Sequence, residues 1–252
     1  MKILSLVCAI VLFLSESSWA RVFDINSEKF AAFFRANYGP TSIGKAAFEG
    51  ASSYNETYES GLTSIQAGEF GFARASRYLS FRFAIEVVRP PSLKEISATD
   101  ASAVRLYTLN SDISAVIPKF GFEFNIKQWR ASRMFINTSM GQASLVLSNA
   151  YTFTTDGTTL TGVTDYTEEG RATASLIEAA LGFESLLFDT TTFTFDIGYR
   201  SLKFSEIKHN RDAVTLSGSK VKGDSMLNTD GTARAIDLTG YYASLGFRFW
   251  IF

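Results

Sequence analysis

His209, in the segment EIKHNRD, is the one histidine of the chain, and Ser205 and Asp212 lie close to it in sequence. A nucleophile, a base and an orienting acid would need contacts of about 3 Å to act together, and neighbourhood within one polar segment supplies none of that geometry. His209 is therefore expected to be a solvated loop residue, and no catalytic role is assigned. Metal chemistry fares no better: the chain has one histidine and one cysteine, Cys8, too few for a His/Cys metal cluster. The stretch TTDGTTLTGVTDYTEEG brings Asp156, Asp165, Glu168 and Glu169 together in sequence, but without the ligand spacing of a calcium loop. A hydrated acidic loop is expected there, and no metal or cofactor.

The informative charges are those that alternate with apolar residues. In LSFRFAIEVV, Leu79, Phe81, Phe83, Ile85 and Val87 share one face while Arg82 and Glu86 share the other. FGFEFNIK places Glu123 and Lys127 opposite a run of Phe and Ile. Residues 175 to 187 place Glu178 and Glu184 opposite Ile177, Leu181 and Phe183, and TFTFDIGYR places Asp196 and Arg200 opposite Phe193, Phe195 and Ile197. Arg248 continues the pattern in the last segment. Nine charges thus fall on the faces opposite the aromatic ones. Enclosed in a low-dielectric interior, such charges must pair and hydrogen-bond, so the expected chemistry is a packed internal network that registers the strands.

The elements that position these residues are period-two strands, expected near 43–52, 62–74, 77–88, 112–127, 132–148, 172–187, 191–204 and 236–252. Tight connections near 74–77, 127–132 and 187–191 alternate with long ones near 89–111, 149–171 and 205–235. Tight turns at one end and long loops at the other are the organisation of a transmembrane antiparallel β-barrel with periplasmic termini and extracellular loops. An even count of eight strands follows from that topology, and closure follows because an open edge in lipid would leave backbone groups unpaired. An eight-stranded lumen is filled by side chains or holds one small ligand.

Residues 1–20 have a lysine at position 2, a short apolar core and Ser18-Trp19-Ala20 before a cleavage point, the pattern of a secretory signal peptide. Residues 21–42 are expected to precede a barrel of residues 43–252. Within them, SEKFAAFFRANYG places Phe30, Phe33 and Phe34 on one face of a short amphipathic helix, which would cover the periplasmic mouth, plug the lumen or lie on the membrane surface. PPSLKEIS, with Ser92 and Glu95 at capping-box spacing, points to a second short helix in an outer loop.

The chain carries 24 basic and 25 acidic residues, and no basic patch is interleaved with aromatics, which argues against nucleic acid as a partner. Its last residues, GFRFWIF, end on Phe252 with Trp250 two places earlier. That ending resembles the C-terminal insertion signal of Gram-negative outer-membrane barrels, and the whole architecture resembles the small members of that group, of the outer-membrane protein A and W types and the adhesion and resistance barrels. One departure is that Tyr241, Ala243, Leu245, Phe247, Phe249 and Ile251 form the more apolar set, leaving open which of the final pair points outward. The resemblance implies a monomeric or weakly associating barrel in the outer membrane. Its partners would be outer-membrane lipid, lipopolysaccharide and the barrel-insertion machinery. Function would then lie in surface interaction, adhesion or envelope integrity through the loops. The alternative is binding or uptake of a small, partly hydrophobic molecule; an enzyme stands third, because the His-x-Ser pattern of lipid A deacylases is absent.

Overall fold

The computed structural model describes residues 24, 25, 27–49, 54, 56–228 and 230–251. The signal-like segment 1–20 and Phe252 lie outside the described residues.

The described chain is all-β apart from one short helix. Eight long strands carry the architecture: β1 (Phe30–Gly44), β3 (Leu62–Ala75), β4 (Leu79–Val88), β6 (Arg105–Gln128), β7 (Ser132–Phe153), β8 (Tyr166–Phe188), β9 (Thr191–Phe204) and β14 (Gly240–Ile251). Short strands fill the outer connections: β2 (Thr57–Tyr58), β5 (Leu93–Thr99), β10 (Lys208–His209), β11 (Ala213–Thr215), β12 (Gly218–Lys220) and β13 (Ile236–Asp237). The helix, α1 (Thr155–Thr161), is capped by the Thr154 hydroxyl, which accepts from Gly157 N at 2.9 Å, and is ended by Gly162 in the left-handed region at φ 69°. Every pairing is antiparallel, and the path β8-β7-β6-β4-β3-β1-β14-β9 has its two ends joined by β8–β9 pairing. The result is a barrel-like sheet.

The first strand differs from expectation. No helix forms at Phe30–Tyr38; β1 pairs with β3 on one side and β14 on the other, so the sheet begins at Phe30 and not at residue 43. Phe30, Phe34 and Tyr38 are four apart, a spacing that suits one side of a helix and equally one face of a strand. The strand wins because β3 and β14 would otherwise each present an unpaired edge, and because it turns Arg35 inward among acceptors. Phe30 and Phe34 stand outward and exposed, whereas Phe33 is buried. The segment expected as a second helix is also extended: Leu93–Thr99 is β5, the Ser92 hydroxyl donates to Asp112 Oδ1 at 2.7 Å, and Glu95 sits at φ 54° with its N–H on Asn110 Oδ1. Ser92 is therefore spent on β6 and cannot cap.

Strands β6, β7 and β8 span 24, 22 and 23 residues, about twice what a tilted strand needs to cross a bilayer core. Residues near 105–111 and 149–153, expected in loops, belong to them. Along β6 the two faces exchange character. From Tyr107 to Ile117 the buried positions are mostly apolar (Tyr107, Leu109, Ile113, Ile117), while Thr108, Asn110, Asp112 and Ser114 face out. From Val116 onward the outward positions are Val116, Phe120, Phe122, Phe124 and Ile126, and the inward ones include Lys119 and Glu123. β8 changes at the same level: Arg171, Thr173 and Ser175 face out before Leu176, whereas Ile177, Leu181 and Phe183 do so after it, opposite Glu178 and Glu184. The barrel-like sheet thus has an inner half that is apolar outside and charged inside, and an outer half that is polar outside and apolar inside. Tyr38, Tyr199 and Tyr241 mark the outer rim of the apolar band, and Tyr78 and Trp129 its inner rim.

Candidate functional site

The candidate site is the interior of the inner half. Six cations, Arg35, Arg82, Lys119, Arg133, Arg200 and Arg248, meet six carboxylates, Glu69, Glu86, Glu123, Glu178, Glu184 and Asp196, and all twelve are buried. They come from every one of the eight long strands. The balance of sign is what makes such burial tolerable, since an uncompensated charge in this interior would cost several kcal/mol.

The network has two ends. Towards the tight turns, Arg133 donates Nε to Glu184 at 2.8 Å and Nη2 to Glu123 at 2.7 Å, while Arg248 reaches Glu123 at 2.7 Å and Glu184 at 3.1 Å. Glu184 also accepts from the Thr192 hydroxyl and from Trp250 Nε1, the latter at 3.1 Å. Towards the outer half, Lys119 Nζ lies 3.0 Å from Glu69, 2.7 Å from Glu86 and 2.8 Å from Glu178. Arg82 links the ends, paired with Glu69 and 3.5 Å from Glu123. Arg35 pairs with Asp196 and donates Nε to Ser244 Oγ at 3.0 Å. Aromatic rings shelve the guanidiniums: Arg82 lies 4.7 Å from the Phe33 centroid, Arg133 5.0 Å from Phe135 and Arg200 5.0 Å from Tyr242.

Of the residues singled out in the sequence, Arg82, Glu86, Glu123, Glu178, Glu184, Asp196, Arg200 and Arg248 are brought together here. Lys127 is not. A bulge between Asn125 and Lys127 breaks the alternation, and Lys127 lies exposed with its ammonium 5.0 Å from the Trp129 ring. Trp250 points inward and is buried, so the outward set at the end of β14 includes Tyr241, Leu245, Phe247 and Phe249. Four network members were not anticipated: Arg35, Glu69, Lys119 and Arg133. Each occupies the inward phase of its strand, so alternation extended through β1, through Pro118 and up to the tight turns would have found them.

Above the charges, Ile43, Leu62, Ile113, Ile117, Leu145 and Leu202 belong to a continuous apolar core that fills the outer half. Over that core lies a second buried polar group: Glu168 of β8, Arg234 at 3.4 Å from it, and His209 at 3.7 Å. Tyr58 and Tyr107 share a hydroxyl contact of 2.7 Å beside it, and burial pushes the Tyr58 phenol well above its ordinary value. His209 is buried, not solvated; burial first, partly opposed by Glu168, holds its pKa below the ordinary value. The acidic residues of the α1 region disperse: Asp165 accepts from Phe153 N at 2.8 Å, Glu168 turns inward, and Glu169 pairs with Arg211 at 3.3 Å.

No protein-family model matches the chain, and no curated protein matches it. Among solved structures, a major outer membrane protein from Thermus thermophilus is similar at 10% identity with a TM-score of 0.51, over 88% of this chain and 99% of that one. The outer membrane protein OprG from Pseudomonas aeruginosa is similar at 13% identity with a TM-score of 0.45, over 90% of this chain and 99% of that one. At 10% identity the likeness to the Thermus protein concerns the fold alone: this chain is an all-β, antiparallel, barrel-like protein with the fold of an outer-membrane protein.

Proposed function

We propose that the eight long strands form a closed barrel in the outer membrane of a Gram-negative bacterium, with a filled lumen, and that the protein serves surface interaction or envelope integrity through its outer half. The observation that carries this reading is the exchange of face polarity along β6 and β8. Below the exchange the outward surface suits lipid, and above it the outward surface suits water, so β6, β7 and β8 project the outer half beyond the bilayer. The paired charges and the apolar core in series leave the chain's function to its outer surface and not to a conduit. At the tips of that surface Leu160 of α1, Val214 of β11 and Val221 after β12 stand exposed.

A non-enzymatic role is supported by the setting of His209, which is buried against Glu168 while Ser205 and Asp212 are exposed. The reading is tested by replacing Thr155–Thr161 and Ala213–Lys220 with Gly-Ser linkers and measuring cell attachment and dye leakage across the envelope. Loss of attachment or a rise in leakage, with unchanged assembly of the barrel, supports it; wild-type behaviour in both assays overturns it.

A second reading, binding of a small and partly hydrophobic molecule, is favoured by a groove of about 720 Å³ on the outward wall. Its lining includes Ala36 and Gly68, paired neighbours on β1 and β3, and it runs beneath Arg89 and Pro90. Small side chains at that level leave a depression between bulkier neighbours. Saturable binding of a fluorescent alkyl probe, lost on G68F substitution, would favour this reading over the first.

A further inference from the structure

The segment Glu206–Leu227 roofs the outer mouth; it is tied to β8 by the pairing of Lys208 and His209 with Arg171 and Gly170 and by Asn210, and is otherwise held by backbone bonds within itself and to Arg234. His209 N donates to Asp224 O at 2.8 Å, Asn210 N to Glu169 O at 2.8 Å and Met226 N to Ile207 O at 2.8 Å, and Arg234 N donates to Met226 O at 2.6 Å. Beneath these bonds lie Glu168, His209 and Arg234, each less than a tenth exposed.

One carboxylate serves both bases. Glu168 Oε2 is 3.4 Å from Arg234 Nη1, and Glu168 Oε1 is 3.7 Å from His209 Nε2. Arg234 is always charged, so Glu168 is matched before the histidine is considered. Lys220 and Asp224 of the roof contribute opposing charges around the imidazole, and Tyr151 of β7 donates to Glu168 at 3.5 Å. His209 Nδ1 is buried and has no hydrogen-bond partner among the described residues. A neutral imidazole tolerates this as an unfilled acceptor. The imidazolium carries an N–H on both nitrogens, so protonation creates a buried donor without an acceptor and sets a second cation beside Arg234.

We propose that the burial of His209 over Glu168 and Arg234 makes the Glu206–Leu227 roof an acid-released latch on the outer mouth. Protonation of the single histidine loosens the bonds of His209, Asn210 and Met226 and uncovers the tyrosines below. The charged network of the inner half is untouched, so the barrel stays folded and the mouth alone responds.

The test is hydrogen exchange on the intact protein in lipid nanodiscs, at about pH 7.5 and about pH 5, with rates corrected for the intrinsic pH dependence of exchange. The latch requires the amides of His209, Asn210 and Met226 to lose protection at the lower pH, by about tenfold for each pH unit by which the buried imidazole titrates below its ordinary value. The amides of β1 and β14 should be unchanged, and H209Q should hold equal protection at both values. Unchanged roof protection in the wild type, or the same acid loss in H209Q, overturns the latch. Should H209Q fail to order the roof, an NMR titration of the wild type decides: roof amides that lose protection with the same midpoint as the ring uphold the latch, and roof amides that stay protected while the ring titrates overturn it.

Discussion

Lys119 and Arg200 reach from β6 and β9 onto the same two carboxylates, Glu86 and Glu178, each cation holding one oxygen of each acid. The four contacts are 2.7 and 2.8 Å for the lysine and 2.8 and 3.1 Å for the arginine. Two charges facing two charges across the lumen form a closed quadrilateral in which each group has a partner on two sides.

Lys119→Met opens that quadrilateral and leaves Glu69 and Glu178 short of a cation. A loss of about 3–5 kcal/mol is expected, read as a lowered denaturant midpoint in lipid vesicles. Phe83→Leu, on the outward face of β4, should cost less than about 1.5 kcal/mol in the same assay. Equal tolerance of the two changes would refute the assignment of inside and outside.

Gly182 faces inward on β8, where an added Cβ would meet the Phe135 ring and Asp196 Oδ1. Both neighbours are buried and committed, Phe135 beneath Arg133 and Asp196 beside Arg35. Gly182→Ala should cost about 1–3 kcal/mol through overpacking, with the denaturation slope unchanged.

Tyr58 supplies a pH test in the opposite direction from His209. Its phenol titrates above the ordinary value of 10.0 because it is buried beside Tyr107 and Glu56. Above pH 10 the unfolded chain then binds fewer protons than the folded one, so stability present at neutral pH falls as pH rises through that window. Tyrosinate absorbance should rise together with loss of outer-half protection in hydrogen exchange, and Tyr58→Phe should shift that transition upward. A phenol that ionises freely at its ordinary value, with the outer half intact, would contradict its burial.

In a planar bilayer the folded protein should show no large, steady conductance, because charges and apolar core obstruct the lumen in series. Deleting Ala213–Lys220 should not create one. Steady passage of an uncharged sugar would overturn the filled interior. On an unboiled detergent gel the protein should shift in mobility on heating, as closed barrels do; a species unaffected by heat would argue against closure.

Much of this fold was legible in simple alternation, and the failures have physical causes. Arg82 and Glu86 were visible because Phe81, Phe83 and Ile85 alternate with them. β1 was concealed because Phe30, Phe34 and Tyr38 fit two periods at once, and the choice between them depends on β3 and β14, far away in sequence. Alternation misplaces Lys127 because one bulge changes the phase of everything beyond it, and nothing local in NIKQ announces the bulge. The outer parts of β6, β7 and β8 read as loops in sequence because their outward faces are polar, and a strand that exchanges its faces presents no single pattern to follow. The buried setting of His209 was invisible for a different reason: Glu168 and Arg234 lie 41 and 25 positions away from it in the chain.

The twelve inner charges have a bearing on how the molecule is made. Arg35 on β1 finds Asp196 on β9, and Arg248 on β14 finds Glu123 on β6, so neutralisation waits for strands from both ends of the chain. Some neighbouring strands match one another, as β4 and β6 do through Arg82–Glu123 and Lys119–Glu86, but β7, β8 and β9 together still leave Asp196 without Arg35. In the proposed membrane setting a partly built sheet would hold some of these charges unmatched against lipid, and stepwise entry of hairpins is penalised until strands such as β1 and β9 share one sheet. The same side chains that secure the finished molecule make its intermediates hard to reach unaided, which favours assembly in a protected, hydrated enclosure and release only after β1 has joined β14.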